Sequence, residues 1–281
     1  MVERTFEIGG EDAVDRLGFG AMRLCGPDII GAPAAPATAR RVVERAVDLG
    51  VDLIDTADAY GPGVSERLIS EAIDTTREDL LIATKAGLLR NRDGDWVRMG
   101  DPDYLRNAHL CSLDRLGVET IDLYQLHRPD PDVPFEDSVR ALAELQDEGV
   151  VRHVGLSGVS VEQLERAREI VEVATVQNQF HVGDRAQAPV LEACVDYGIG
   201  FMPYFPLGAG DLGDVPELDA VAAAHDATRR QVALAWLLHR SPVMLPIPGT
   251  GDPDHLAENV AARELSLTDD EVARLTRAVG A

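Results

Sequence analysis

The stretch PYFPLGAGDLGDVP, residues 203–216, decides between two α/β architectures. Its inner GAGDLG, at 208–213, satisfies the G-x-G-x-x-G spacing of a dinucleotide-binding turn. In a doubly wound sheet that turn follows the first strand and opens a helix, where its glycines bring the backbone against a pyrophosphate. Here the match lies late in a chain of 281 residues, follows Pro203 and Pro206, and runs into Pro216. It reads as a loop. The earlier glycine segments, GFGAMR and GPGVSE, do not complete the pattern either.

Outward from that loop, strand and helix patterns alternate. After a hairpin-like start (TFEIGG, then AVDRLGFG), short apolar runs mark strands at 51–56, 79–85, 121–127, 151–157, 174–180, 198–204 and 243–249. With LGFG near residue 18 as the first, that makes eight. Amphipathic segments lie between them. Thr38 is expected to cap a helix that Gly50 ends, and Ser160 with Gln163, Thr228 with Gln231 and Thr268 with Glu271 read as capping boxes. No Pro/Ser-rich linker divides the units. The pattern predicts an α/β fold, a (β/α)8 TIM barrel in a single domain over 1–281, with an N-terminal hairpin and extra C-terminal helices. Active sites in such barrels sit at the C-terminal ends of the strands.

Composition narrows the function. There are 49 acidic against 26 basic residues, a net charge of −23. Such a surface repels nucleic-acid phosphates and anionic membranes, so neither is an expected partner. No apolar run approaches the ~20 residues needed to span a bilayer. Cys25, Cys111 and Cys194 lie far apart, which fits a reducing cytoplasm and neither a zinc site nor a disulfide framework. Lys85 is the only lysine among the 26 basic residues. An acidic surface nearly free of lysine is expected of a halophilic protein, because self-repulsion is screened once the Debye length falls to ~3 Å at 1 M salt. A GC-rich genome is the alternative source of that bias.

The strand-end rule brings four residues to one rim. Asp55 ends the second strand, Tyr60 follows five residues later, Lys85 ends the third and His127 the fourth. Singly, each has a plain reading: a helix cap, a loop aromatic, a snorkelling lysine, a structural histidine. Together they make a proton-donating tyrosine. A free phenol has a pKa of ~10. An adjacent ammonium would stabilise the phenolate and lower that value. Asp55 would hold the ammonium, and His127 would orient a substrate oxygen. A compact ammonium suits this place better than the planar fork of arginine.

IDTADAYGPGVSE, IATKAG and LYQLHRPDP resemble the catalytic tetrad segments of the aldo-keto reductase superfamily, and the resemblance runs from residue 17 to the C-terminal helix. It implies an NAD(P)H-dependent oxidoreductase that reduces a small aldehyde or ketone, with Asp55, Tyr60, Lys85 and His127 catalytic. A nicotinamide cofactor would lie across the barrel rim without a Rossmann fold. GLSGVS resembles the family's GLSN segment, with Ser157 on the nicotinamide carboxamide and Gly158 where the family has Asn. Gln177 would bind the carboxamide too. Tyr204 would stack on the ring, and Leu207, Gly208 and Gly210 would line the pyrophosphate. IPGTGDPDHLAEN implies Gly249, Thr250, His255, Glu258 and Asn259 at the adenosine phosphate, with Glu258 and Asn259 facing adenine. NADPH is the expected cofactor and NADH the alternative. Thr250, His255 and Arg263 are candidate donors to a 2′-phosphate, and Asp252 is a candidate helix cap.

Two other functions compete. A nicotinamide-binding, redox-sensing regulator shares this fold, as in potassium-channel beta subunits, but no basic or apolar docking surface is evident. A metal-dependent barrel hydrolase would need clustered ligands at a strand end, and none are spaced for it. The loops LCGPDIIGAP, RNRDGDWVRMG (with Trp96) and 179–187 would contact substrate. The residues specify neither the substrate nor the oligomeric state.

Overall fold

A computed structural model describes residues 3–278. Its centre is a parallel sheet in the order Phe19–Gly20, Leu53–Asp55, Leu81–Ala86, Ile121–Leu126, Val151–Ser157, Val173–Gln177 and Gly200–Phe201. Seven of the eight expected strands are therefore regular. The eighth segment, 243–249, closes the barrel without forming a continuous ladder. Gly18 N and Gly20 N donate to Pro246 O (3.0 Å) and Pro248 O (3.3 Å) on one side, and Phe201 N donates to Val243 O (2.8 Å) on the other. Pro246 and Pro248 have no N–H to return, so the pairing is reduced to isolated bridges at Gly20–Gly249 and Phe201–Met244.

Side-chain alternation fixes what faces inward. Leu53, Leu81, Ala83 and Leu123 share a buried cluster inside the barrel with Met202, Leu245 and Ile247. Ile54, Ile82, Tyr124 and Leu126 belong to a second cluster, packed between sheet and helices. The two-residue period continues the inner rows to Asp55, Lys85, Gln125 and His127 at the C-terminal ends. That is why four polar side chains crown an apolar core.

The N-terminal hairpin, Thr5–Ile8 paired antiparallel with Asp12–Asp15, inserts Ile8 and Val14 into the inner cluster. It thereby stops the bottom of the barrel. Buried Arg16 fastens it to the last turn of the barrel, donating to Met244 O (3.2 Å) and Leu238 O (2.7 Å). The expected capping boxes are formed at Ser160–Gln163 and Thr228–Gln231. Thr268 and Glu271 exchange the same bonds. The cap expected at Thr38 is not: the first long helix begins two residues earlier, at Pro36, whose preset φ starts a helix without a side-chain cap. Helices Pro253–Ala261 and Asp269–Ala278 follow the barrel. Among the described residues no helix is long and apolar enough to cross a membrane.

Candidate active site

The loop carrying Tyr60 is laid over Lys85 by its own backbone. Thr56 N donates to Ala83 O (2.8 Å) and Asp58 N donates to Lys85 O (3.1 Å), so the chain crosses the end of the third strand before turning at Tyr60. Gly61, with φ of 81°, makes that turn, and a Cβ there would meet Val64 Cβ at 2.5 Å. Helix Val64–Ala72 then leads away.

Beneath the loop, Lys85 is fully buried and its three ammonium protons have three acceptors. Nζ lies 2.6 Å from Asp55 Oδ2, 2.7 Å from Thr56 O and 3.5 Å from the Tyr60 hydroxyl. The other carboxylate oxygen, Asp55 Oδ1, accepts from Gln177 Nε2 (2.8 Å) and Gln125 Nε2 (3.2 Å). A buried ion pair of this kind persists only when its remaining hydrogen-bonding capacity is met, and here the two glutamines meet it. His127 is set by its backbone N donating to Ala86 O (2.7 Å), and its ring stands edge-on to Tyr60 with centroids 5.8 Å apart. Its Nδ1 is buried without a protein partner.

Burial dominates the electrostatics. It pushes the Tyr60 phenol well above 10, and Asp55 adds to the rise. The expectation that Lys85 lowers the pKa of this tyrosine is therefore not met in the free protein: desolvation of a phenolate outweighs an ammonium 3.5 Å away that Asp55 already neutralises. Burial also lowers Lys85, against the opposing pull of Asp55. His127 is held well below 6.5 by burial, reinforced by the positive charges of Lys85 and Arg128. At neutral pH the arrangement is a protonated phenol beside a neutral imidazole.

Asp55, Tyr60 and His127 line the floor of a cavity of about 720 Å³ along the rim, with Lys85 buried beneath them. Of the residues expected to hold a cofactor, Ser157, Gln177, Tyr204, Leu207, Gly210, Gly249, Thr250, His255 and Asn259 line it. Gly208 and Glu258 do not. Gly208 begins a 3-10 turn, Gly208–Gly210, that presents its neighbours instead. Glu258 turns away and accepts from the Thr228 hydroxyl (2.7 Å), tying two helices together. Arg263 is also elsewhere, spent on Asp15 (3.3 Å) and on the carbonyl of Gly50 (3.4 Å). Asp252 caps its helix, accepting from Asp254 N (2.8 Å) and His255 N (3.2 Å), which occupies the N–H groups that could have met a phosphate.

Arginines take over that end of the cavity. Arg23 and Arg230 line it as do Thr250 and His255, and Arg23 packs against Gly249 and Gly251. Neither stands out in the sequence, because each comes from a distant segment. At the other end a hairpin, Leu88–Arg90 with Trp96–Arg98, leans over the site. Trp96 stands edge-on to Tyr60 (6.4 Å) and His127 (6.3 Å), with the Arg90 guanidinium 4.0 Å over its ring. Its strands are only three residues each, Leu88–Arg90 partly buried and Trp96–Arg98 exposed, so the segment reads as loop from sequence.

Comparison with known proteins agrees with this architecture. Residues 16–279 match the aldo/keto reductase family. An oxidoreductase of Schizosaccharomyces pombe is 45% identical over 267 residues, covering 95% of this chain and 87% of its own. Pyridoxine 4-dehydrogenase of Escherichia coli is 41% identical, covering 98% of each. Among solved structures, an aldo-keto reductase of Klebsiella pneumoniae in complex with NADPH superposes with a TM-score of 0.85 at 27% identity, over 99% of this chain and 95% of that one. The chain belongs to the aldo/keto reductase family, a class of oxidoreductases.

Proposed function

We propose that this protein reduces an aldehyde or ketone to an alcohol, with NADPH as reductant and Tyr60 as proton donor. The observation that carries the reading is the buried Asp55–Lys85–Tyr60 chain ending at the cavity floor beside His127. When bound, NADPH supplies the hydride that becomes the new C–H bond at the carbonyl carbon. The Tyr60 hydroxyl passes its proton to the carbonyl oxygen. The phenolate left behind is stabilised by the Lys85 ammonium, which Asp55 and Thr56 O keep in place. His127, neutral and donating through one ring nitrogen, orients the oxygen before transfer.

The residues present fit the cofactor. Asn259 lines the cavity and its Oδ1 is buried with no protein partner, as an acceptor awaiting a ligand amine would be. Ser157, Gln177 and Tyr204 suit the nicotinamide end. Arg23 and Arg230, which line the same cavity as Thr250, support a 2′-phosphate, because guanidinium is well matched to phosphate oxygens. That favours NADPH over NADH. Leu88 and Trp96 offer apolar walls for the substrate, and the pyridoxine 4-dehydrogenase relative makes small aromatic aldehydes the first class to try. The acidic excess supports a salt-rich cytoplasm as its setting.

Loss of reduced-nicotinamide absorbance in the presence of aldehydes, pyridoxal among them, tests the reading in parallel NADPH and NADH arms. Turnover faster with NADPH is expected. Cofactor binding without oxidation by any carbonyl compound would favour a regulatory protein instead.

A further inference from the structure

Gly158 stands where the resembling family has Asn, and its surroundings explain the exchange. A Cβ built on Gly158 would lie 2.6 Å from Arg128 Nη1, 2.9 Å from its Cδ and 3.0 Å from its Cζ. The guanidinium of Arg128 therefore fills the space that a side chain at 158 would enter. The backbone does not demand glycine here. Its φ of 68° is left-handed, a conformation that Asn tolerates better than most residues. The turn is pinned by Gly158 N and Val159 N donating to Asn178 Oδ1 (2.8 and 3.2 Å). A side chain there would have to push the Arg128 guanidinium aside.

Arg128 is placed for a task. Its Nη1 donates to Ser157 Oγ (2.7 Å) and to His127 O (3.1 Å), and its Cζ lies 4.8 Å from the centroid of the Tyr204 ring. Ser157 and Tyr204 are the two side chains assigned above to the nicotinamide. All these partners are uncharged, and among the described residues no carboxylate pairs with this half-buried cation, in a chain with an acidic excess.

We propose that Arg128 holds the nicotinamide carboxamide in place of a side chain at 158, its guanidinium donating to the carboxamide oxygen alongside Ser157. This rests on the nicotinamide reading above. Arg128 acts as a positioning residue that sets how tightly the ring end of the cofactor is held.

The test is a binding series, read by fluorescence titration with NADPH and with adenosine 2′,5′-bisphosphate, which lacks the nicotinamide. Arg128→Ala should weaken NADPH about ten-fold or more, as loss of a charge-assisted hydrogen bond does, and leave the bisphosphate within two-fold. Gly158→Asn alone should weaken NADPH, since its amide collides with the guanidinium. The double variant Arg128→Ala/Gly158→Asn should recover most of the loss, a coupling that independent sites do not show. Melting temperatures check that each variant is folded. The assignment is overturned if Arg128→Ala binds NADPH within two-fold of wild type, if the bisphosphate is weakened equally, or if the double variant is no tighter than Arg128→Ala. Wild-type binding without carbonyl turnover would count against the reduction reading alone, and a wild type that binds neither ligand would overturn both.

Discussion

The ammonium of Lys85 and the hydroxyl of Tyr60 lie 3.5 Å apart, both buried, with Asp55 on the far side of the ammonium at 2.6 Å. Because burial keeps the phenol protonated, the ammonium has its effect as the proton leaves, when negative charge develops on the Tyr60 oxygen. Its size matters as much as its charge.

Lys85→Arg is therefore expected to be nearly as damaging as Lys85→Met, each lowering kcat by about 10²-fold or more. A planar fork in a fully buried slot between Asp55, Thr56 O and Tyr60 would pair bidentately with Asp55 and leave the phenol without its cation. Steady-state kinetics of both variants check this. A fully active Lys85→Arg would mean that size and shape do not explain why this lysine survives.

The depressed basicity of His127 gives a pH expectation. A histidine held well below 6.5 is neutral throughout the neutral range and is protonated only as pH falls through its lowered value. Activity that depends on the neutral ring is thus present above that value and lost below it. The profile of kcat/KM should carry no limb at the ordinary histidine value of ~6.5. A limb there that vanishes in His127→Asn would contradict the buried, neutral ring.

For salt, the charge of −23 motivates an expectation of a higher melting temperature in molar KCl than in dilute buffer. Melting curves at the two salt levels decide it. A transition that salt leaves unmoved or lowers would make genome composition the better account of the missing lysines.

What was legible in the sequence was whatever a short period encodes. The two-residue alternation that buries Leu53, Leu81 and Leu123 also carries Asp55, Lys85 and His127 to the inner rim, so those positions follow from local pattern. Gln125 follows from the same rule, and it holds Asp55 Oδ1. Contacts made across the fold were not legible. Arg23 and Arg230 meet the cavity from segments far apart in the chain, while Arg263, nearer in sequence, is drawn off by Asp15. Glu258 sits one residue from a cavity-lining Asn259, yet the helix turn points it at Thr228. Prolines at 246 and 248 hid how the eighth segment closes the barrel.

The central claim is that Tyr60 donates the proton, and Tyr60→Phe tests it most directly, with turnover and NADPH affinity measured on the same preparation. The ring and its packing against His127 and Trp96 are kept while only the hydroxyl is lost. The account predicts a fall in kcat of ~10²–10⁴-fold, the usual cost of a missing general acid, with NADPH binding changed little. Retention of more than about a tenth of the wild-type kcat would contradict it, since a general acid typically contributes ~10²-fold or more.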